Sequence, residues 1–186
     1  HEYLLHKAAA WERQAYLRAR PLTTLNDSPA KSAASRGLSP EDLNELRSIR
    51  SQLFSNQINS DVFDLKFTVG GLADIEFTTQ IALLKRREFS LDPSTRGMIQ
   101  YLEGIDANWA KVGPTIREGY EFLRKVEQLF QLTTSYTESK LRLKSNEFSR
   151  LARVLDLTAH DLFEELRARQ KTLFDALKDV RDLDRS

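Results

Sequence analysis

Apolar residues recur at helical spacing along most of this chain, and the places where that spacing fails mark its joints. At about 100° per residue, Leu4, Ala8, Trp11 and Ala15 share one face of a helix over residues 3–20, with Leu5, Glu12 and Tyr16 at its edge. Pro21 stops that helix. Residues 23–38 carry Ser, Thr, Asn, Ala and Gly with no period and read as a flexible linker. Ser39-Pro40-Glu41-Asp42 supplies an N-cap serine, proline at the first helical position and acids in the first turn. Leu43, Leu46, Leu53 and Phe54 continue the helix so begun. Residues 62–69 alternate enough to predict one or two short strand segments, and Gly70-Gly71 opens a helix running to about Arg87. Met98, Ile99 and Leu102 predict a short helix. Residues 104–113 read as a connection carrying Trp109, and Pro114 starts a helix with Ile116, Leu123, Val126 and Phe130 on its apolar face. Gly119 sits at the centre of that face, where a neighbouring helix can approach. Phe148, Leu151, Ala152 and Leu155 form a short amphipathic segment. Thr158 and Asp161 then pair as a cap before a last helix carrying Leu162, Leu166, Leu173 and Leu177. The whole reads as mainly α, a helical bundle of about six helices.

One stretch organises the rest, from Asp64 to Gln80. Leu72, Ile75, Thr79, Ala82 and Leu83 share one side of its helix, and Glu76 falls in the middle of that side. Asp74 falls beside Thr78 and Lys85, where a solvated carboxylate is expected. An unpaired carboxylate on an apolar face costs several kcal/mol, so Glu76 needs a partner or a cleft. Arg124 and Glu127 read first as a local pair on one helix. The sharper expectation is that Arg124 reaches Glu76 in an ion pair that holds two helices in register; the other reading has Glu76 face an open cleft beside Lys66 and orient a ligand or bound metal.

Composition narrows the class. The content of 40% apolar and 30% charged residues is that of a globular protein. With 28 Lys and Arg against 27 Asp and Glu there is no basic excess, so binding to nucleic acid is not expected. The chain lacks cysteine, which removes disulfide and thiolate chemistry and is compatible with a cytoplasmic location. No apolar run approaches the roughly 20 residues that span a bilayer, so no membrane role is expected. The chain opens at His1, already inside a helical pattern, and is expected to be a piece of a longer protein.

Candidate chemistry is sparse. Glu2 and His6 have a helical clip spacing, but no further ligand accompanies them and no metal site is expected. Arg18 and Arg20 either complement the end of their helix or face an anionic ligand. Gly70 and Gly71 either present amides to an anion at a helix start or form a tight turn that needs positive φ.

The residues together resemble a known family. Trp11-Glu12-Arg13-Gln14-Ala15 with Leu17-Arg18-Ala19-Arg20-Pro21, then Asp64-Leu65-Lys66, Gly70-Gly71 and Asp74-Ile75-Glu76-Phe77 with Gln80, are similar in order and spacing to the glutamine synthetase adenylyltransferase family. Tyr120-Glu121-Phe122-Leu123-Arg124 with Glu127 and Gln131 resembles that family's helical domain. Uridylyltransferases of the nitrogen signal protein share parts of the same domain, but match this combination of motifs less well. The resemblance implies a bifunctional enzyme that moves AMP from ATP to a tyrosine of glutamine synthetase and removes it again, controlling nitrogen assimilation. The Asp64-Leu65-Lys66 and Asp74 forms are closer to the adenylylating half, and either half stays open. Residues 1–71 would be the end of a nucleotidyltransferase domain and residues 72–186 the helical domain. Lys66, Gly70, Gly71, Arg18 and Arg20 are the positions expected to face nucleotide or substrate. The family's catalytic acidic signature has no counterpart in residues 1–186, so no catalytic residue is expected here. ATP and Mg²⁺ are expected to serve the parent enzyme, neither binding tightly to this chain alone. The expected partners are glutamine synthetase and, second, a nitrogen signal protein. Three roles follow: a piece that positions substrate or couples domains, a non-catalytic interaction module for those partners, or a purely structural α domain whose motifs serve packing alone.

Overall fold

A computed structural model describes residues 2–19, 28–54, 61–134 and 139–181. Among them the chain forms nine helices and one two-stranded sheet, a mainly α fold. In order these are α1 (Glu2–His6), α2 (Ala10–Tyr16), α3 (Pro29–Ser35), α4 (Pro40–Leu53), β1 (Val62–Asp64), α5 (Leu72–Arg86), α6 (Thr95–Ile105), α7 (Ala107–Thr134), β2 (Lys140–Arg142), α8 (Asn146–Val154) and α9 (Ala159–Val180). The expected six helices become nine, for reasons local to each addition. The first predicted helix breaks between α1 and α2, where the Glu12 side chain accepts the Ala9 amide at 2.9 Å.

The linker expected over residues 23–38 is partly helix. Pro29 stands at the first position of α3, and Ala30, Ala33 and Ala34 are buried at helical spacing. α3 packs against α1 and α2. A face of alanines looks featureless in sequence, yet its small side chains let helices pack closely. Gly37, at φ +71°, follows its end. The part of the expected linker before Ser28 lies outside the described residues.

By Cα proximity the chain forms two compact units, and each is discontinuous in sequence. The first comprises His1–Leu53, Glu76–Pro114 and Lys178–Ser186; the second comprises Phe54–Ile75 and Thr115–Leu177. One switch between units falls inside α5, between Ile75 and Glu76.

In the first unit α2 packs on α3 and α4. Arg13 is wholly buried there, and its guanidinium donates to Asp42 Oδ2 at 2.7 Å and to the Gly37 carbonyl. Asp42 also closes the expected cap of α4: it accepts the Ser39 amide at 2.9 Å while Ser39 Oγ accepts the Asp42 amide at 3.1 Å. One carboxylate thus caps a helix and neutralises a buried arginine.

The second unit holds the sheet. β1 and β2 run antiparallel with Phe63 opposite Leu141, both buried. The strand near residues 62–69 was legible; its partner was not, because Lys140 and Arg142 flank the single apolar Leu141. Gly119 on α7 is buried, and a Cβ there would lie 2.5 Å from Leu173 Cδ2 on α9. The close approach expected at Gly119 is present.

Candidate functional site

The turn after β1 is built by Asp64. Its Oδ1 accepts the amides of Lys66 and Phe67, each at 2.9 Å, which fixes both side chains at the rim of the second unit. Leu65 is fully buried beneath them, while Lys66 and Phe67 are exposed and the Lys66 ammonium stands 5.2 Å from the Phe67 ring centre. Lys66 and Phe67 line a cleft of about 670 Å³, within the size range of small-molecule sites. Arg124, Glu127, Gln128 and Gln131 line it too, at spacings that share one face of α7. Ser139 and Lys140, at the start of β2, complete it. The sequence named Lys66 and Arg124 for different reasons; the fold puts both in this cleft.

The double glycine does different work. Gly70 has φ +78°, and a Cβ there would lie 2.8 Å from the Gln170 carbonyl oxygen on α9. Its amide is bonded to Asp74 Oδ2 at 2.9 Å, and the Gly71 amide to the Thr68 carbonyl at 2.9 Å. Leu72 and Ala73 give their amides to the carbonyls of Leu65 and Lys66. The amides at the start of α5 are thus taken by the chain's own acceptors. Of the two readings of Gly70-Gly71, the geometry is that of the tight turn. Gln170 closes the turn from α9, its side-chain amide donating to Thr68 Oγ1 at 2.7 Å and the Val69 carbonyl at 3.0 Å.

The expected Glu76–Arg124 pair is replaced by two others. Arg18 Nη1 donates to Glu76 Oε2 at 3.0 Å, and Arg124 Nη1 to Glu127 Oε2 at 2.6 Å. Arg124 has a partner one turn along its own helix, which requires no long-range approach. The Glu76 side chain is about a fifth exposed, whereas Asp74 is fully buried. The carboxylate expected in solvent is the inward one. α5 is buried nearly all round from Leu72 to Leu84, so its sequence offers no solvent side on which to place Asp74. Arg18 belongs to the first unit with Glu76, and Arg20 lies outside the described residues.

Among the described residues no group of three or more His, Asp or Glu side chains is placed to hold a metal ion. The donor set of the cleft, three cations and one paired carboxylate, does not fit a divalent cation. No described helix is long and apolar enough to cross a membrane.

This turn, helix and cleft lie inside the stretch on which comparison with known proteins converges. Residues 41–186 match the family model described as GlnD PII-uridylyltransferase, and the chain belongs to that nucleotidyltransferase-type family. It is also similar to the bifunctional glutamine synthetase adenylyltransferase/adenylyl-removing enzyme of Nitrosomonas europaea. Identity is 27% over 174 residues, covering 87% of this chain. The chain spans 19% of that relative's length. The resemblance read from Trp11 to Gln131 is borne out at the level of family.

Proposed function

We propose that this chain is the helical part of a glutamine synthetase adenylyltransferase and positions substrate for nucleotidyl transfer carried out by catalytic carboxylates elsewhere in the parent protein. The observation that carries this reading is the similarity to the bifunctional adenylyltransferase over 87% of the chain, with the family model running through the cleft-forming segments. In the parent, ATP and Mg²⁺ are the cofactors, glutamine synthetase is the protein substrate, a nitrogen signal protein is a regulatory partner and the location is cytoplasmic. Mg²⁺ would neutralise phosphate charge during transfer; no group of this chain is assigned to it.

Within this chain Lys66 is the substrate-facing residue, because its ammonium is exposed at a cleft rim that Asp64 fixes in place. Arg18 keeps a half-exposed guanidinium beside Glu76, which suits orientation of an acidic segment. Lys66→Ala in the parent protein is expected to lower AMP transfer to glutamine synthetase by about tenfold, roughly 1.4 kcal/mol of transition-state stabilisation, with an unchanged melting temperature. Full activity in that variant would remove Lys66 from the substrate path.

The second reading, an interaction module without a part in positioning nucleotide, is favoured by the exposed Leu132 and by Phe174, Tyr3 and Trp11, all more than a third exposed. Capture of glutamine synthetase by this chain without nucleotide, together with unaltered transfer by Lys66→Ala, would select it.

A further inference from the structure

We propose that the cleft between the Asp64 turn, α7 and the start of β2 is a binding site for a phosphate-bearing small molecule. The inference deepens the substrate-facing reading of Lys66 by naming the chemistry of what it faces. Three cations, Lys66, Arg124 and Lys140, line the cleft against a single carboxylate, Glu127. That carboxylate is already engaged by Arg124 at 2.6 Å and its side chain is only 8% exposed. The ammoniums of Lys66 and Lys140 have no carboxylate partner among the described residues. Asp64 stands opposite Lys140 in the sheet register, its Oδ1 accepting the two turn amides; counted with Glu127 it makes two carboxylates against the three cations. The cleft therefore keeps a surplus of positive charge where solvent can enter.

The arrangement of donors favours phosphate over a carboxylate. A carboxylate presents two coplanar oxygens and is best met by both arms of one guanidinium, and one arm of Arg124, Nη1, is taken by Glu127. Phosphate spreads three oxygens around a tetrahedral centre and is met by single donors arriving from several directions. Here they arrive from three separate places: Lys66 from the turn, Gln128 and Gln131 from α7, and Lys140 of β2 with Ser139 just before it. Both glutamines lie along one face of α7, a turn apart. A cleft of about 670 Å³ is far larger than an inorganic phosphate, and Phe67, 40% exposed at its rim, offers an apolar ring to the organic part.

Calorimetric titration of the full 186-residue chain with sodium pyrophosphate, ADP and citrate tests this. Saturable binding of pyrophosphate is expected, weakened about tenfold or more by Lys66→Gln combined with Lys140→Gln. Lys144→Gln is the control for loss of a lysine charge outside the cleft, since that ammonium pairs with Asp61 at 2.7 Å and does not line the cleft. It is expected to change affinity by less than about twofold. Circular dichroism of each variant checks that the fold is kept. Tighter binding of ADP than of pyrophosphate assigns the site to nucleotides; equal binding assigns it to free phosphates, and either supports the proposal. Absence of saturable binding, citrate binding as tightly as pyrophosphate, or a double variant with unaltered affinity would overturn it. Neither glutamine synthetase nor AMP transfer enters the titration, so its failure and that of the adenylyltransferase reading are separately visible.

Discussion

Asp74 and Glu76 lie two residues apart on α5 and have opposite environments. Asp74 is fully buried and anchors the Gly70 amide, while Glu76 meets Arg18 near the surface. Removing Asp74 leaves a buried amide without that acceptor, so Asp74→Ala is expected to cost about 1–3 kcal/mol. Glu76→Ala is expected to cost less than about 1 kcal/mol, the range of a solvent-accessible pair. Urea denaturation of both variants measures the difference, and equal or reversed costs would contradict the assignment. The sequence pointed to Glu76 because period alone ranks positions by the apolarity of their neighbours on one face. It cannot see that a helix is enclosed on every side.

Gly70 and Asp106 show how single residues fix whole elements. Gly70→Ala forces an L side chain into positive φ, at about 1–2 kcal/mol, and brings its Cβ to 2.8 Å from the Gln170 carbonyl oxygen. A drop of about 2 kcal/mol or more on denaturation is expected; a neutral change would show that the turn relaxes freely. Asp106 was hidden within the connection expected over residues 104–113. Its Oδ1 accepts the amides of Asn108 and Trp109, so it starts α7 seven residues before the expected Pro114. Pro114 sits inside α7, although proline is a stronger sign of a helix start than of a helix interior. The caps at Ser39 and Thr158 were legible because donor, acceptor and spacing all lie within four residues.

The same carboxylates set a pH dependence. Burial raises the pKa of Asp106, but the Trp109 amide, Arg86 and the Asn108 amide outweigh it and hold the carboxyl below its ordinary value. Asp42 behaves alike: burial raises it, and the Ser39 amide and Arg13 bring it below the ordinary range. A carboxyl with a depressed folded pKa contributes stability that is fully present above its unfolded value, about 3.9. That contribution is lost as pH falls through the folded value. Melting temperature is expected to hold from neutral pH down to about pH 5 and to fall below about pH 4. Asp106→Asn is expected to flatten that fall, and an unchanged acid limb would contradict the role given to Asp106.

At the scale of the molecule, the family was legible because its signs are short motifs in a fixed order, and these survive in a single sequence. Its division into two units was not, since Phe54–Ile75 joins Thr115–Leu177 across intervening chain. Hydrophobic period reports which face of an element is buried, not which distant element covers it. The cleft was half visible. Lys66 and Arg124 stood out, but Gln128, Gln131 and Lys140 gain meaning only when α7 and β2 meet the Asp64 turn. The matching family model is described as PII-uridylyltransferase and the similar whole enzyme is an adenylyltransferase, so choice of nucleotide and protein substrate discriminates most sharply. The decisive measurement offers the full-length parent protein labelled ATP with glutamine synthetase and, in parallel, labelled UTP with the nitrogen signal protein. Label from ATP on a tyrosine of glutamine synthetase, with none on the signal protein, is the result expected here. Uridylyl label on the signal protein, with glutamine synthetase unmodified, would contradict it.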